Sequence, residues 1–235
     1  VLFWNWIQKS FERKLKTEIM PYLMKAFQSF YWQDTPPVTH EEISKIKIFS
    51  RIDSARKSFD DCFVGKYRGV QVAISECHYE TGGKNSVTIF NGAVIKLKMN
   101  KNFSGITVIR PTSVGWGNFL DLKKYKMNKV ELEDVKFNEK YTVYSTDQVE
   151  SRYLLTPTFM ERFENISLAF SSSGCFCSFY GDSVYIAPYV SGDLFKLFSL
   201  WKPVTESKQF QVLFEEIVSI LELVDHFKLD TRLGL

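Results

Sequence analysis

The chain has no stretch of 18 consecutive apolar residues, so no membrane span is expected within it. Its start is not basic, then apolar, then small, the order a secretory signal takes. The first residue is Val1 rather than Met, which predicts a segment of a longer protein. None of the four cysteines, Cys62, Cys77, Cys175 and Cys177, forms a C-x-x-C pair, and a metal site built on them lacks partners. Buried free thiols in a reducing compartment are the expectation instead. Gly115, Trp116 and Gly117 fall short of a dinucleotide fingerprint, because the third glycine and the strand-to-helix setting are missing. A G-x-S-x-G nucleophile elbow is absent too. No repeat or low-complexity segment occurs.

What is abundant is aromatic carbon. Phe, Trp and Tyr make up 16% of the 235 residues, with 21 Phe, against an ordinary 45% apolar and 24% charged. Phe and Tyr pack the faces of sheets, which leans towards an α+β core. The net charge of +3 conceals a gradient. Residues 84–129 hold nine basic side chains and one acid, whereas residues 130–235 hold nine basic and sixteen acidic ones.

Residues 4–30 read as an amphipathic helical arm, with Trp4, Ile7, Phe11, Leu15, Ile19, Leu23, Phe27 and Phe30 at spacings of three or four. Pro36 and Pro37 close it with a linker. Thr39 and Glu42 spell a capping box for a helix from His40 to about Phe49, with His40 facing solvent. Val70, Val72 and Ile74 alternate with polar or small residues in a strand reaching Tyr79. Gly82 and Gly83 turn it into a second strand over 87–99, and residues 106–109 are expected as a third in a hairpin-linked meander. Residues 112–128 read as loop. Further strands are expected over 130–132, 141–144, 168–170, 176–180 and 184–187. Thr156 and Pro157 start a helix with Phe159, Met160 and Phe163 inward. The stripe Phe210, Leu213, Phe214, Ile217, Leu221, Val224 and Phe227 defines a closing helix over 208–228.

The densest stretch is Val143–Pro157, with a Ser/Thr/Asp turn, three charges and a Thr-Pro helix start. Together with Phe90, Asn91 and Gly92, with 100–105 and 69–80, with 184–187 and with Leu229, Asp230, Thr231 and Arg232, it resembles a bacterial family known as domain of unknown function thirty-one thirty-seven. The likeness covers roughly residues 60–232. It implies a cytoplasmic-side domain tethered by membrane helices near the N-terminus, and it brings no activity, substrate or catalytic residue.

Two sets of side chains could carry chemistry. Glu76, His78 and Glu80 alternate on one strand and so share a face, and a histidine between carboxylates suits a metal site or a general base. Three ligands from one strand seldom converge on one ion, so a solvent-facing polar strand side is the plainer reading. Asp147, Glu150 and Arg152, beside Ser145 and Thr146, form the second set, since paired carboxylates suit acid–base work and a serine can be a nucleophile. No histidine lies near them. Asp147 is expected to cap a short helix, with Glu150 completing a capping box or balancing Arg152. Separately, Lys84, Lys96, Lys98, Lys101, Lys123, Lys124, Lys126 and Lys129 could form one basic face, suited to anionic lipid. Edge protection also explains exposed strand lysines, and the scarcity of arginine disfavours nucleic acid.

The expectation is therefore an α+β fold, a multistranded and mostly antiparallel sheet with packed helices, with residues 1–37 as arm and linker and 38–235 as the domain. The leading function is a non-enzymatic, membrane-proximal interaction module on the cytoplasmic side, without cofactor or metal. Its lysine face would meet anionic lipid or an acidic protein. A hydrolase using Asp147/Glu150 or Glu76/His78/Glu80 is the alternative, and a homo-oligomeric scaffold joined through residues 4–30 is the third.

Overall fold

The computed structural model describes residues 30–50, 52–113, 125–192, 194–195 and 207–229, with isolated positions between 10 and 27. The fold is α+β. Among the described residues nine antiparallel strands form one sheet, in the order β1-β2-β3-β4-β9-β8-β5-β7-β6. These are β1 (Tyr31–Gln33), β2 (Arg56–Tyr67), β3 (Val70–Glu80), β4 (Thr88–Lys98), β5 (Thr107–Pro111), β6 (Asn128–Val130), β7 (Tyr141–Ser145), β8 (Gly174–Tyr180) and β9 (Ser183–Tyr189).

Of the expected meander the β3–β4 hairpin holds, and it is preceded by β2, which pairs with β3 across a turn at Arg68 and Gly69, both at positive φ (47° and 88°). That geometry suits a two-residue hairpin turn, whose twist matches the flanking strands. The segment 107–111 does not continue the meander. The late hairpin β8–β9 inserts between β4 and β5, so strands from the end of the sheet's sequence fill its centre. A central strand is covered on both faces, and almost every residue of β8 and β9 is accordingly buried. The two edge strands among the described residues, β1 and β6, have three residues each, too short to template further pairing.

Five α-helices are described: α1 (His40–Lys45), α2 (Val135–Lys140), α3 (Gln148–Leu154), α4 (Pro157–Ala169) and α5 (Ser207–Leu229). One face of the sheet carries α4 and α5, with Phe159, Phe163, Leu213, Ile217 and Val224 buried on Ile74, Ile95, Cys177 and Ile186. Met24, Phe27 and Phe30 lie in this same core, and the Phe27 ring is 4.9 Å from that of Phe214. Other positions of the expected arm, Trp4, Ile7, Phe11, Leu15 and Leu23 among them, fall outside the described residues. The opposite face is covered by α1 and the chain that follows it, where Ile43, Ile46, Phe49 and Ile52 pack on Tyr79, Phe90 and Phe176.

Several local expectations change. The capping box at Thr39 and Glu42 is present, but its helix stops at Lys45. His40 is half-buried rather than solvent-facing, with Nδ1 3.2 Å from the Tyr79 hydroxyl. Residues 168–170 end α4 instead of forming a strand, with Phe170 buried against the core. The helix α2, capped by the Asp134 carboxylate on the Phe137 N–H, was not foreseen. All four cysteines are buried and unpaired, and burial pushes every thiol up, Cys62 to about 12. Among the described residues no helix is long and apolar enough to cross a membrane.

Candidate functional site

The Ser145–Glu150 turn, the densest cluster in the sequence, is a clasp. Asp147 caps α3, its Oδ1 accepting from the Val149 and Glu150 N–H groups at 3.0 and 2.9 Å. Its Oδ2 accepts from the Ser104 hydroxyl at 2.9 Å. The Glu150 carboxylate does not close a capping box and does not reach Arg152. It takes the backbone N–H groups of Ser104 and Gly105 at 2.9 and 3.0 Å. Thr146 Oγ1 accepts from the Ile106 N–H at 2.9 Å. The Ser145 hydroxyl donates to the Asp147 carbonyl and accepts from the Asp147 N–H, and it lies 2.9 Å from Thr107 Oγ1. The strand end 104–107 is thereby stapled to the start of α3. Gly105 permits the approach, because a Cβ there would sit 2.5 Å from Thr146 Oγ1 and 3.0 Å from Asp147 Cβ.

These contacts use the lone pairs that acid–base chemistry would need. The Glu150 N–H first, and the Ser104 hydroxyl next, hold the Asp147 carboxyl below its ordinary range. Ser145 is fully buried. Arg152 points to solvent and, among the described residues, pairs with no acid. The hydrolase reading through Asp147 and Glu150 therefore has no geometry to work with. Its residues are structural.

The other candidate set leads to a cleft. In β3 the positions 70, 72 and 74 bury towards the α4/α5 layer, and Glu76 and His78 continue that parity. Ser58, His78 and Asn91 form one cross-strand row through β2, β3 and β4. The register of β4 with β9 ends at Gly92 and Tyr189, and after one more backbone bond, from the Val190 N–H to the Asn91 carbonyl at 2.8 Å, the chain leaves the strand. Asn91 secures the departing segment, its Nδ2 donating to the Val190 and Gly192 carbonyls at 3.0 and 2.8 Å. Glu76 Oε1 secures it further on, accepting from the Leu194 N–H at 2.8 Å. Leu194 and Phe195 then plunge into the core. Between this segment and the strand row lies a cavity of about 540 Å³, with Ser58, Asp60, Glu76, His78, Thr88 and Asn91 on its walls.

The asparagine also sets the histidine. Both Asn91 amide hydrogens go to carbonyls, so its Oδ1 is an acceptor, and the His78 Nδ1 that lies 2.9 Å away must donate. Nε2 is left as the exposed ring nitrogen, 3.8 Å from Glu80 Oε2. Glu80 itself also meets Arg56 at 3.8 Å and does not line the cavity. The expected solvent-facing strand side is therefore corrected for Glu76, which is only 8% exposed. No group of three metal-binding side chains occurs among the described residues.

The family described as a protein of unknown function (DUF3137) matches residues 88–229. The chain belongs to this family. The DUF3137 match takes in the clasp, β4 with Asn91, and the segment 189–195, and it leaves β2 and β3 outside. No curated protein matches the chain. A solved structure, the mycobacterial trehalose monomycolate transport factor A, TtfA, is similar over 91% of this chain and 93% of that one, at 12% identity and a TM-score of 0.48.

The lysines of this DUF3137 chain fall into two kinds. Lys96 bonds Glu42 at 2.6 Å beside the Tyr185 ring, Lys98 lies 3.5 Å from Asp182, and Lys129 lies 2.7 Å from Glu131. Lys84, Lys101 and Lys126 have no acidic partner among the described residues. Lys84 sits in the β3–β4 turn and Lys101 beyond the far end of β4, so the 11-residue strand separates them. Lys123 and Lys124 lie outside the described residues.

Proposed function

We propose that this chain is a non-enzymatic binding module whose ligand sits in the rim cleft bounded by Ser58, Glu76, His78 and Asn91. The observation that supports it is a cavity of about 540 Å³ with polar side chains on its walls, of which Glu76, His78 and Asn91 are held in place by hydrogen bonds. That volume falls in the range of about 300–1,000 Å³ common to small-molecule sites, where a few well-placed polar groups set orientation. Fixed walls lower the cost of binding, because little ordering remains for the ligand to impose. The test is nuclear magnetic resonance with a panel of small polar molecules. Binding that moves the backbone signals of Ser58, His78 and Asn91 supports the reading. Perturbations that arise only elsewhere would overturn it.

A second surface rests on the lysines without acidic partners, Lys84, Lys101 and Lys126. It would place the module beside an anionic membrane on the cytoplasmic side, or against an acidic protein. Co-sedimentation with anionic and neutral vesicles at low and high salt tests it, and salt-independent or absent binding sinks the membrane version.

A further inference from the structure

β1 is too short to shield the strand it pairs with. It covers β2 only at residues 62–64, opposite Tyr31, Trp32 and Gln33. From Gln33 the chain turns over the α1 face, where the Val38 N–H meets Ser75 Oγ at 3.1 Å. Arg56, Lys57, Ser58 and Phe59 pair with β3 on one side, and no described strand pairs with them or with Asp60 on the other. Alternate backbone N–H and C=O groups of 56–60 therefore point away from the sheet. Arg56, Lys57, Ser58 and Asp60 are exposed, and Phe59 is half-buried with its ring 6.1 Å from that of Tyr79. Arg56 and Ser58 share the face of their partners Glu80 and His78, and Asp60 lines the cavity with Ser58. Lys57 and Phe59 oppose Tyr79 and Cys77, on the α1 side.

Charged side chains and a bulge commonly blunt such an edge, and β2 has its bulge between Phe59 and Cys62. Here the charges are also ordered along the strand, with Arg56 and Lys57 at one end and Asp60 at the other. A copy laid antiparallel meets the opposite sign. We propose that two copies of this chain pair edge to edge along 56–60, about a two-fold axis through Ser58. Directly opposed residues of an antiparallel pair share a face, and this register respects that. Arg56 opposes the partner's Asp60 on the cleft side, twice by symmetry. Arg56 stands 3.8 Å from Glu80 in its own chain, a loose contact that leaves guanidinium donors for the partner. On the α1 side Lys57 opposes the partner's Phe59, where its stem and ammonium can lie over the ring. Moving the axis to Lys57 sets that lysine against its own copy, and moving it to Phe59 runs Lys57 into the partner's bulge. The contact is isologous, so it closes as a dimer. It brings the partner's Arg56 to the Asp60 carboxylate on the cleft wall. Five residues a side make a contact of the transient class, below about 1,200 Å² of buried surface, so the dilute chain is monomeric.

Sedimentation equilibrium of the full chain at rising concentration tests this, with Arg56→Glu and Asp60→Lys as variants. Wild type should pass reversibly from monomer to dimer. Each variant alone opposes like charges twice across the axis, and its self-association should weaken by roughly tenfold or more. Mixed one to one, the two variants should form a heterodimer. The introduced glutamate then meets the introduced lysine, and the retained Arg56 meets the retained Asp60. Both positions are exposed, so the monomers stay folded, and rescue in the mixture is a result that mere misfolding cannot give. A wild type that stays monomeric up to about 1 mM, the weak end of specific association, overturns the proposal. So does a dimer that both variants leave intact, which would put the contact elsewhere on the molecule. Loss in each variant without rescue in the mixture overturns the pairing of Arg56 with Asp60. Sedimentation without ligand decides the dimer independently of what the cleft binds.

Discussion

Two regions of this molecule hold paired acids among hydroxyls and backbone amides, and they end up in opposite states. In the clasp, Asp147 and Glu150 face one another's surroundings at short range, and every oxygen named meets an N–H or O–H from 104–105 or from α3. In the cleft, Asp60 and Glu76 stand on the wall of a cavity, and Glu76 ties down a passing chain by accepting from the Leu194 N–H. Similar residue types thus act as a staple between neighbouring segments in one place and as the wall of a cavity in the other. The difference lies in whether a second strand approaches close enough to supply donors. At the clasp Gly105 lets it, and at the cleft the chain leaves β4 after Val190.

The largest effect is therefore expected where the approach is closest. Gly105→Ala places a methyl group 2.5 Å from Thr146 Oγ1, and the clasp must open to admit it. A loss of about 2 kcal/mol is expected, typical of overpacking, measured by urea unfolding. An unchanged midpoint would mean that the staple carries no stability. Glu150→Ala comes next. It leaves the Ser104 and Gly105 N–H groups to water, at about 1–2 kcal/mol for a half-buried pair of bonds.

Acidity probes the same contrast without mutation. The Asp147 carboxyl is held below its ordinary value, so its contribution is present above about pH 4 and is lost as pH falls through the lower folded value. Glu216, buried in α5, runs the other way. Burial pushes its carboxyl up to about 8, so its contribution is full below about 4.5 and lost as pH rises through about 8. Wild type and Asp147→Ala should accordingly converge in stability as pH drops towards 2, while Glu216→Gln should flatten the alkaline limb. Parallel curves for wild type and Asp147→Ala at low pH would remove the carboxylate from the clasp.

The clasp was legible in the sequence because capping is local: Ser145, Asp147 and the α3 N–H groups lie within six residues. Its second half, Ser104 and Gly105, was not, since those contacts close a loop of more than forty residues. The same limit hid the insertion of β8–β9 between β4 and β5. Alternation says that Cys175 and Cys177 share a face, but it names no neighbouring strand. α2 was missed although Asp134 three residues before Phe137 spells a cap, because six residues hold too little periodicity to register. For the cleft, one available signal went unused. Glu76 and His78 have the parity of Val70, Val72 and Ile74, which are buried beneath the α4/α5 layer, so both belong to the covered face rather than to solvent. That parity places them in a covered setting, but only the cross-strand row with Ser58 and Asn91 makes a cavity of it.

The smallest expected effect decides whether the comparison stands. Glu76→Gln preserves an oxygen for the Leu194 N–H and removes a charge that burial disfavours, so the two changes offset one another. Asp60→Asn alters an exposed group. Both variants should unfold within about 0.5 kcal/mol of wild type, the span usual for changes that leave packing and bonding intact. A loss near that of Glu150→Ala would make Glu76 a strut of the fold. The cleft wall would then be a second clasp, holding the segment that carries Leu194.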